Sequence, residues 1–422
     1  MKVALISTLY PFPADVGKKV VVTGLIRFFC EKISAENFFL IFPLTDLMTK
    51  NVHEFNQANY VLPTGMTKLR NIFFHTFLKR KKSIQESLFF SNDITTSLQK
   101  TINEIDADIL VFDTIRMGQY LPLLNTGKAK NVLYLEDLFS VRYESMIRAL
   151  NLPGTKSFNP LGNFERHVPR IFRSYIKKFS FVQKMLLSYE SKLVANSEAV
   201  QARIFPDSLL INKSEVKLLS SWGGRGVHVF PPYVSSSMRP YARSWNKSPI
   251  FVFLGGLDVP HNAVSLENFI DAHLPKIILD IPDVLIRVIG KNPAPSLLAL
   301  VKKFPLHVRI EGYVESLDEV LLGACAMLVP LLFGSGVKLK TIDALSYGLP
   351  IIATDFGVEG VGVSTENQDC IIENNLSNYG IWMKRLLDSH FNEQISRNSY
   401  RLYMENYSDS SVKAKYSKIF NI

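Results

Sequence analysis

One stretch of the chain decides its fold class: Gly334-Ser335-Gly336-Val337-Lys338-Leu339-Lys340-Thr341-Ile342-Asp343-Ala344-Leu345-Ser346-Tyr347-Gly348-Leu349-Pro350. The apolar run 326–333 before it is typical of a buried strand, and Leu339, Ile342 and Leu345 then recur at helical spacing. A glycine and a proline at its end are typical helix stops, and another apolar run follows. The order strand, glycine loop, helix, strand is that of an α/β protein.

The glycine loop is a candidate anion site. Gly334 to Gly336 lie at the turn from strand to helix, where backbone N–H groups lack partners and the helix dipole is positive. Such a turn can bind phosphate, since glycine lets the anion approach the backbone. Lys338 and Lys340 are expected in the first helical turn, where a bound anion would offset their unfavourable interaction with the dipole, and Asp343 could accept ribose hydroxyls. An ordinary connection with solvated lysines is the alternative, and spacing alone does not separate the two.

Length and composition are those of a large globular protein. With 422 residues, 47% of them apolar and 11% aromatic, the chain can form two or three domains with packed cores. Cys30, Cys325 and Cys370 are far apart among apolar neighbours, which predicts reduced core residues and a cytoplasmic protein. The first residues lack the apolar run of a signal peptide, and the chain has no run of about 18 apolar residues that would predict a membrane span.

The positive charge is confined to the first half. The net charge is +10, and residues 1–234 hold 30 basic and 19 acidic side chains, against 18 and 19 in the remainder. Two basic stretches, 68–90 and 164–187, interleave lysine and arginine with phenylalanine, which suits an anionic membrane surface or a lipid pyrophosphate. Helices with aromatic side chains packed inward are the alternative. Nucleic acid is the poorer partner, since the second half is neutral and no nucleic-acid module is visible.

Strands and helices are predicted to alternate in both halves. Helices are expected near 20–32 and 94–105, and strands at 3–7, 38–42, 109–112, 132–135, 193–195, 250–254, 284–289, 308–310, 327–330 and 351–353. This pattern predicts an α/β protein with two Rossmann-like domains.

A segment rich in serine and proline separates the halves. We place the first domain at 1–234, a linker at 235–249, the second domain at 250–400, and at 401–422 a C-terminal helix that should pack back on the first domain. Ligands of such domains bind beyond the carboxyl ends of the strands, so we expect the two domains to face each other across a cleft.

Several motifs of the second half occur in the order found in a known family. They are Phe253-Leu254-Gly255-Gly256-Leu257-Asp258 with Pro260, His261 and Asn262, then Pro282-Asp283-Val284, Val288 to Pro293, Glu311-Gly312-Tyr313, and the opening stretch continued to Gly360. With them the chain resembles, over 250–365, the retaining nucleotide-sugar glycosyltransferases of the GT-B fold, group 1 or family 4-like. The first half matches more loosely, at 11–19, 135–137 and 195–198.

The resemblance implies a donor site in the second half. The residues it assigns to the donor are Gly256, Lys291, Gly334, Ser335, Gly336, Val337, Lys338, Lys340, Asp343 and Glu359. The glycine loop and the two lysines would bind the diphosphate, and Asp343 the ribose. Many members have an acid where this chain has Ser335, and Glu359 is the candidate to reach the cleft instead. The nucleotide-diphosphate sugar is then a substrate, and no cofactor is required.

The resemblance also assigns residues of the first half. Gly17 would face the donor, and Glu136 and Asp137 would lie near the anomeric carbon as catalytic residues together with Lys340. Helix N-terminus and lysines can stabilise the leaving diphosphate without a metal. The acidic pair in Asp106-Ala107-Asp108 stands at the start of a strand and the histidines lack ligand spacing, so no metal site is predicted; for His261 a structural or surface role is favoured.

The sequence thus predicts a metal-independent retaining glycosyltransferase, cytoplasmic and peripheral on the inner face of the membrane. Its acceptor would be a glycan or a lipid-linked glycan of bacterial surface polysaccharide synthesis. Two alternatives remain open: a catalytically inactive nucleotide-sugar-binding accessory subunit, which Ser335 keeps possible, and a nucleotide-sugar epimerase on the same fold. Donor sugar, base and linkage are not specified by the sequence.

Overall fold

The structure is a computed structural model of the chain, and it describes residues 1–14, 17–44, 54–149, 180–234, 243, 245–314 and 316–422. The chain divides into two compact units. The first unit comprises Met1–Glu144, Met185–Ser235 and Val412–Ile422, and the second comprises Ser145–Lys184 and Ser236–Ser411.

The first unit is built on a parallel sheet. Its strands within the described residues are β1 Val3–Ile6, β2 Phe38–Pro43, β3 Asn56–Tyr60, β4 Ile109–Asp113, β5 Lys130–Glu136, β6 Asp207–Leu210 and β7 Gly226–Val229. They pair in the order β3-β2-β1-β4-β5-β6-β7. Strands β1 and β4 are entirely buried, as expected for central strands covered by helices on both faces.

The second unit repeats this plan. Its strands are β8 Ile250–Leu254, β9 Leu285–Ile289, β10 Val308–Gly312, β11 Ala326–Val329, β12 Ile351–Ala353 and β13 Ile371–Ile372, in the order β10-β9-β8-β11-β12-β13 within the described residues. Alternate side chains of β8 enter two cores on opposite faces of the sheet: Phe251 and Phe253 pack into one and Val252 into the other. Two parallel sheets with helices on their faces confirm the predicted α/β class.

Helices connect the strands of both sheets. Up to residue 234 they are Gly17–Ile33, Gly65–Asn71, Ile84–Phe89, Asn92–Ile105, Thr114–Gly118, Phe139–Ala149, Ser180–Ile204 and Lys213–Ser221, with a π-helix at Ile72–Leu78 and 3-10 turns at Ala35–Asn37 and Leu121–Leu123. Beyond it they are Pro260–Ala272, Leu274–Asp280, Pro295–Val301, Asp318–Leu322, Leu339–Ser346, Tyr379–Arg385, Ser389–Asn406 and Asp409–Phe420, with 3-10 turns at Asp355–Gly357 and Leu376–Asn378.

The last helix belongs to the first unit from Val412 onward. Its Tyr416 ring stacks on Phe230 with centroids 3.8 Å apart, and the Tyr416 hydroxyl donates to the Pro231 carbonyl at 2.6 Å. Lys413 Nζ lies 2.7 Å from Glu31 Oε2. The chain end therefore closes the apolar core of the first unit.

One predicted strand is wrong. Residues 193–195 lie inside the helix Ser180–Ile204, where Leu187, Val194 and Gln201 are buried at helical spacing. A triplet of apolar residues fits a strand or a helix equally, and only the longer pattern distinguishes them. Strands β3, β6, β7 and β13 were not predicted; β3 reads Asn-Gln-Ala-Asn-Tyr and has little apolar character because it forms the edge of its sheet.

Candidate functional site

In both sheets, the order of the strands identifies the same place for a ligand. The strand order changes direction between β1 and β4 in the first unit and between β8 and β11 in the second. Ligands of open α/β sheets bind at this switch point, beyond the carboxyl ends of the strands. The segments that follow these four strands therefore define two candidate sites, one in each unit.

The glycine loop of the second unit follows β11 as predicted. Gly334 has φ 137° and Gly336 has φ 77°, conformations that other residues adopt only with strain. The helix begins at Leu339, so Lys338 occupies its N-cap position and Lys340 lies in the first turn. Gly348, with φ 60°, ends the helix as expected.

Lys338 is folded back on this loop. Its ammonium donates to the carbonyl oxygens of Ser335 at 3.0 Å and Gly336 at 2.6 Å, and it lies 3.8 Å from Glu359 Oε2. The side chain is only 6% exposed. Lys338 therefore fixes the shape of the loop as well as charging it, and the structure brings Glu359 to the same cluster.

Lys340 is the most strongly perturbed cation of the second site. Its ammonium donates to Asn262 Oδ1 at 2.8 Å and lies 4.8 Å from the centre of the Phe253 ring. Burial and the charge of Lys338 lower the pKa of Lys340 to about 7. A bound anion such as a diphosphate would stabilise the charged form of Lys340 and so offset part of the cost of burying its ammonium.

His261 lies beside these two lysines. Burial and the charges of Lys338 and Lys340 lower the pKa of His261 to about 3, so its ring is neutral at pH 7. A Cβ built on Gly334 would lie 3.5 Å from His261 Cγ, which places the ring directly against the loop. The role of His261 as a contact of the loop was not predicted from the sequence.

The other donor residues assigned from the sequence lie at varying positions around this cluster. The Gly256 carbonyl accepts from Asn262 Nδ2 at 3.0 Å, so Asn262 connects the loop after β8 with Lys340. Asp343 is half-buried one turn further along the helix, and Val337 packs against the apolar core. The backbone of Lys291 bonds to that of Leu257, but its ammonium lies 4.0 Å from the Tyr313 ring.

In the first unit, β4 ends in a buried aspartate. Asp113 Oδ2 accepts from the backbone N–H of Thr8 at 2.9 Å and from its hydroxyl at 2.5 Å, and Asp113 Oδ1 lies 2.9 Å from Lys18 Nζ. Burial alone would raise the pKa of Asp113, but the charge of Lys18 and the bonds from Thr8 lower it below its usual value. These three residues join the ends of β1 and β4.

The predicted acids Glu136 and Asp137 lie at the end of the neighbouring strand β5. The Asp137 carboxylate is 4% exposed and accepts from Arg142 Nε at 3.0 Å and from its terminal NH2 at 2.5 Å. Burial raises the pKa of Glu136 to about 7; the charge of Lys18 opposes this rise and that of Asp137 adds to it. Asp137 is therefore held by an ion pair, whereas Glu136 is poised to exchange a proton near neutral pH.

Both strand ends carry an unusual backbone. Thr114, directly after β4, has φ 63°, and Glu136 has φ 68°. A positive φ is unfavourable for a non-glycine residue and especially for a β-branched one, and such strain is concentrated at functional sites. The Ile211 N–H bonds to the Glu136 carbonyl at 2.9 Å, so strand pairing to β6 continues through this residue.

Two buried glutamates hold the loop that carries these acids. Glu198 Oε2 accepts from the Ser140 hydroxyl at 2.5 Å, and Glu215 Oε2 accepts from the Leu138 N–H at 2.8 Å. Burial raises the pKa of Glu198 to about 8 in spite of its hydrogen bonds to Ser140. Neither residue was assigned this role from the sequence, because both are far along the chain from the loop.

Gly17, the remaining predicted site residue, is the first residue of the helix Gly17–Ile33 and is exposed. Its neighbour Lys18 makes the contact with Asp113 described above. This pair could have been recognised in the sequence from Asp113, the last residue of an apolar strand, because the ends of strands carry the ligand-binding residues in such folds.

The described part of the chain has neither a metal cluster nor a membrane-spanning helix. Among the residues that the structure describes, no three side chains of His, Cys, Asp or Glu are grouped so that they could hold a metal ion. Over the same residues, no helix has both the length and the apolar character needed to cross a membrane. The three cysteines form no disulfide; Cys325 and Cys370 are buried and Cys30 is half-buried.

Two parallel sheets, each with its switch point at the carboxyl ends of the strands, define a GT-B type fold. Residues 248–388 match the family described as glycosyl transferases group 1, so this part of the chain is similar to that family. The match confirms the resemblance to group 1 glycosyltransferases noted for the second half of the sequence.

Individual relatives are distant. An uncharacterized 44.6 kDa protein in the cps region of Klebsiella pneumoniae is 25% identical over 260 residues, which are 58% of this chain and 62% of that protein. A sucrose-phosphate synthase from Thermosynechococcus elongatus has a TM-score of 0.66 at 13% identity, covering 100% of this chain and 98% of that one. A variant of S. aureus TarM in complex with fondaparinux, alpha-GlcNAc-glycerol and UDP has a TM-score of 0.64 at 10% identity, covering all of both chains. At such identities the structures show the fold alone.

Proposed function

We propose that this protein transfers a sugar from a nucleotide-diphosphate sugar to a hydroxyl of a glycan or lipid-linked acceptor, with retention of anomeric configuration and without a metal ion. The observation that carries the proposal is the cluster of Lys338 and Lys340 at the start of the helix Leu339–Ser346. Two ammonium groups and the free N–H groups of a helix start make a site for a diphosphate. The group 1 family match and the UDP bound to the TarM variant support a nucleotide-sugar donor.

The proposed reaction exchanges one bond for another at the anomeric carbon. The bond to the phosphate oxygen of the donor breaks, a bond to the acceptor oxygen forms, and the nucleoside diphosphate leaves with the bonding electrons. Lys340 and the helix start would stabilise the charge that develops on this leaving group. The acceptor hydroxyl loses a proton, and Glu136 is suited to receive it because burial raises its pKa to about 7.

We further propose bacterial surface polysaccharide assembly as the setting, with the protein cytoplasmic and bound to the inner face of the membrane. The similarity to a protein of a cps region supports a role in polysaccharide synthesis. The excess of positive charge in residues 1–234 supports an anionic surface.

A two-stage experiment tests the function. Thermal unfolding is first followed with UDP, GDP, ADP and CDP, because a ligand of the native state raises the midpoint. Nucleotide sugars of the base that binds are then incubated with and without glycan acceptors, and NMR of the product gives its anomeric configuration. Transfer with retention is expected. Binding without any turnover would support the accessory subunit, and an epimerised nucleotide sugar the epimerase; either outcome overturns the proposal.

Chelation tests the metal-free mechanism. Transfer should continue at an unchanged rate in EDTA, since the charge of the leaving group is stabilised by lysine and backbone groups of the second unit. A loss of transfer in EDTA that Mg²⁺ or Mn²⁺ restores would show that this part of the proposal is wrong.

A further inference from the structure

One helical segment of the first unit has its polarity reversed. Six apolar side chains along 65–78 are exposed, by 80% at Met66, 47% at Leu69, 60% at Phe73, 44% at Phe74, 48% at Phe77 and 62% at Leu78. We call this set the aromatic ridge. Two polar residues of the same segment, Asn71 and Thr76, face inward and are buried. Helices of soluble proteins ordinarily do the opposite.

The inward contacts hold the ridge in this orientation. Asn71 Nδ2 donates to the Phe90 carbonyl at 2.6 Å, and the hydroxyls of Thr76 and Ser87 lie 2.8 Å apart. The Tyr189 hydroxyl donates to the Thr76 carbonyl at 2.7 Å, and its ring stacks on Phe77. The exposure of the phenylalanines is therefore set by buried hydrogen bonds and is part of the folded structure.

The backbone of the ridge is also unusual. Residues Ile72–Leu78 form a π-helix, a conformation that is rare and is often found at functional sites. Ring centroids of Phe73 and Phe74 are 5.5 Å apart, so successive aromatic side chains lie side by side on the outside. The wider turn thus groups more apolar surface on one side than a regular helix would.

Along the sequence, the charged residues beside the ridge all have one sign. Lys68 and Arg70 precede the phenylalanines, and exposed Lys79, Arg80 and Lys81 follow them. The sequence contains no Asp or Glu from residue 55 to residue 85. Lys82 is not part of this surface, because its ammonium donates to Gln119 Oε1 at 2.8 Å and lies over the Phe90 ring.

We propose that the aromatic ridge inserts into the interfacial region of an anionic lipid bilayer, with the flanking basic residues on the headgroups. Apolar and aromatic side chains beside lysine and arginine are the composition of interfacial helices, and the single sign of charge matches anionic phospholipid. The inference rests on the proposed function for its membrane setting. The inference adds which surface of the protein binds the bilayer. It also adds an apolar contribution to binding, which high salt does not screen.

The ridge is connected to the carboxyl ends of the strands of the first unit. The next helix, Ile84–Phe89, is tied to the carboxyl ends of the strands through Gln85, whose Oε1 accepts from Arg116 Nε at 2.9 Å. Arg116 lies in the helix that follows β4 and Asp113. The ridge is thus linked through one helix and Arg116 to the segment that follows β4, in the same unit as Glu136.

Vesicle flotation tests the proposal. The probes are vesicles of phosphatidylcholine alone and of phosphatidylcholine mixed with phosphatidylglycerol, at low and high salt. The variant F73S/F74S/F77S should bind mixed vesicles about 100-fold more weakly, because three apolar anchors are lost. The variant K79Q/R80Q/K81Q should lose mainly the salt-sensitive part of binding. The matched control is L279S/L298S/L306S, which removes three exposed leucines of the second unit and should bind as the native chain does.

A depth measurement makes the test independent of affinity. Phe74→Trp should give a blue-shifted fluorescence difference on mixed vesicles and should be quenched by lipids brominated on their acyl chains. Equal flotation of F73S/F74S/F77S and the native chain, or an unquenched tryptophan, would overturn the proposal. Self-association that F73S/F74S/F77S abolishes, without vesicle binding, would overturn it too. An unchanged thermal unfolding midpoint shows that the variants fold, and retained nucleoside diphosphate affinity separates failure of this inference from failure of the proposed function.

Discussion

The two sheets have the same strand order at their centres, yet two strands of the first end in acids and a strand of the second leads to lysines. In the first unit, β4 ends in Asp113 and β5 in Glu136, two acids whose charges are balanced by Lys18 and Arg142. In the second unit, β11 leads to a glycine loop with Lys338 and Lys340, and burial together with the charge of Lys338 lowers the pKa of Lys340.

The fold determines where the two sites lie, and the residues at the strand ends determine their chemistry. The parallel order brings strand ends together, and the residues at those ends then determine which charge is stabilised there. An edge with a carboxyl group of raised pKa suits proton transfer from a hydroxyl, and an edge with two cations and a helix start suits an anion. The predictions below test this division, from the largest expected effect to the smallest.

The first prediction concerns the acidic edge. Glu136→Gln should lower the transfer rate by about 10²–10⁴-fold while nucleoside diphosphate affinity is unchanged, because a positioned general base contributes roughly this factor. The measurement is initial rates with nucleotide sugar and acceptor, together with calorimetry. Glu104→Gln, which removes an exposed acid of the same unit, is the control and should transfer normally. A Glu136→Gln variant with the native rate would show that the acidic edge has no part in proton transfer.

The second prediction concerns the basic edge. Lys340→Ala should weaken nucleoside diphosphate binding by about 2 kcal/mol, the cost of losing a charge-assisted hydrogen bond. Lys303→Ala removes an exposed cation of the same unit, whose Nζ lies 3.7 Å from Asp271 Oδ1, and should bind normally. Titration calorimetry of both variants decides the matter; equal affinities would remove Lys340 from the diphosphate site.

The third prediction is a proton count. The pKa of Lys340 is about 7 in the free protein because of burial and the charge of Lys338, so at pH 8 its amine is mostly neutral. A bound diphosphate favours the charged form and raises that pKa, so binding at pH 8 should take up close to one proton. Calorimetry in buffers of different ionisation enthalpy measures this number. No proton uptake in the native chain, or the same uptake in Lys340→Ala, would contradict the assignment.

The sequence predicted the apolar strands and the loop, and the reasons are local. Strand β8, Ile-Phe-Val-Phe-Leu, is apolar throughout because both faces of its sheet are covered, and Gly334 and Gly336 mark a turn that needs their backbone freedom. The edge strand β3 was not predicted, because solvent exposure permits polar residues there and the strand has no apolar pattern. The triplet 193–195 was assigned to a strand because three residues do not reveal a period.

The contacts within the sites could not be predicted, because they join distant parts of the chain. Lys18 and Asp113 are 95 residues apart, and only the neighbouring positions of β1 and β4 bring them together. Lys340 and Asn262 are 78 apart. Lys338 was expected to point at the ligand, and its bonds to the carbonyls of Ser335 and Gly336 depend on a side-chain conformation that the sequence does not specify.

The last prediction is that the stability of the two units responds to pH in opposite directions. In the first unit, burial raises the pKa of Glu190 to about 7 and that of Glu198 to about 8. Between the unfolded value near 4.5 and these values, the folded unit binds more protons than the unfolded chain. The stability that these groups contribute is therefore complete below about pH 4.5 and is lost as the pH rises through 7 and 8.

In the second unit the sign is reversed. The pKa of Lys340 falls to about 7 on folding, so between about pH 7 and 10.5 the unfolded chain binds the extra proton and stability rises with pH. Hydrogen exchange of each unit, corrected for the intrinsic pH dependence of exchange, should show the first unit weakening from pH 5 to 8 and the second strengthening above pH 7. Glu198→Gln should flatten the first response and Lys340→Met the second. Parallel responses in both units would mean that the opposite charges of the two edges are balanced elsewhere in each unit, and that the comparison does not extend to stability.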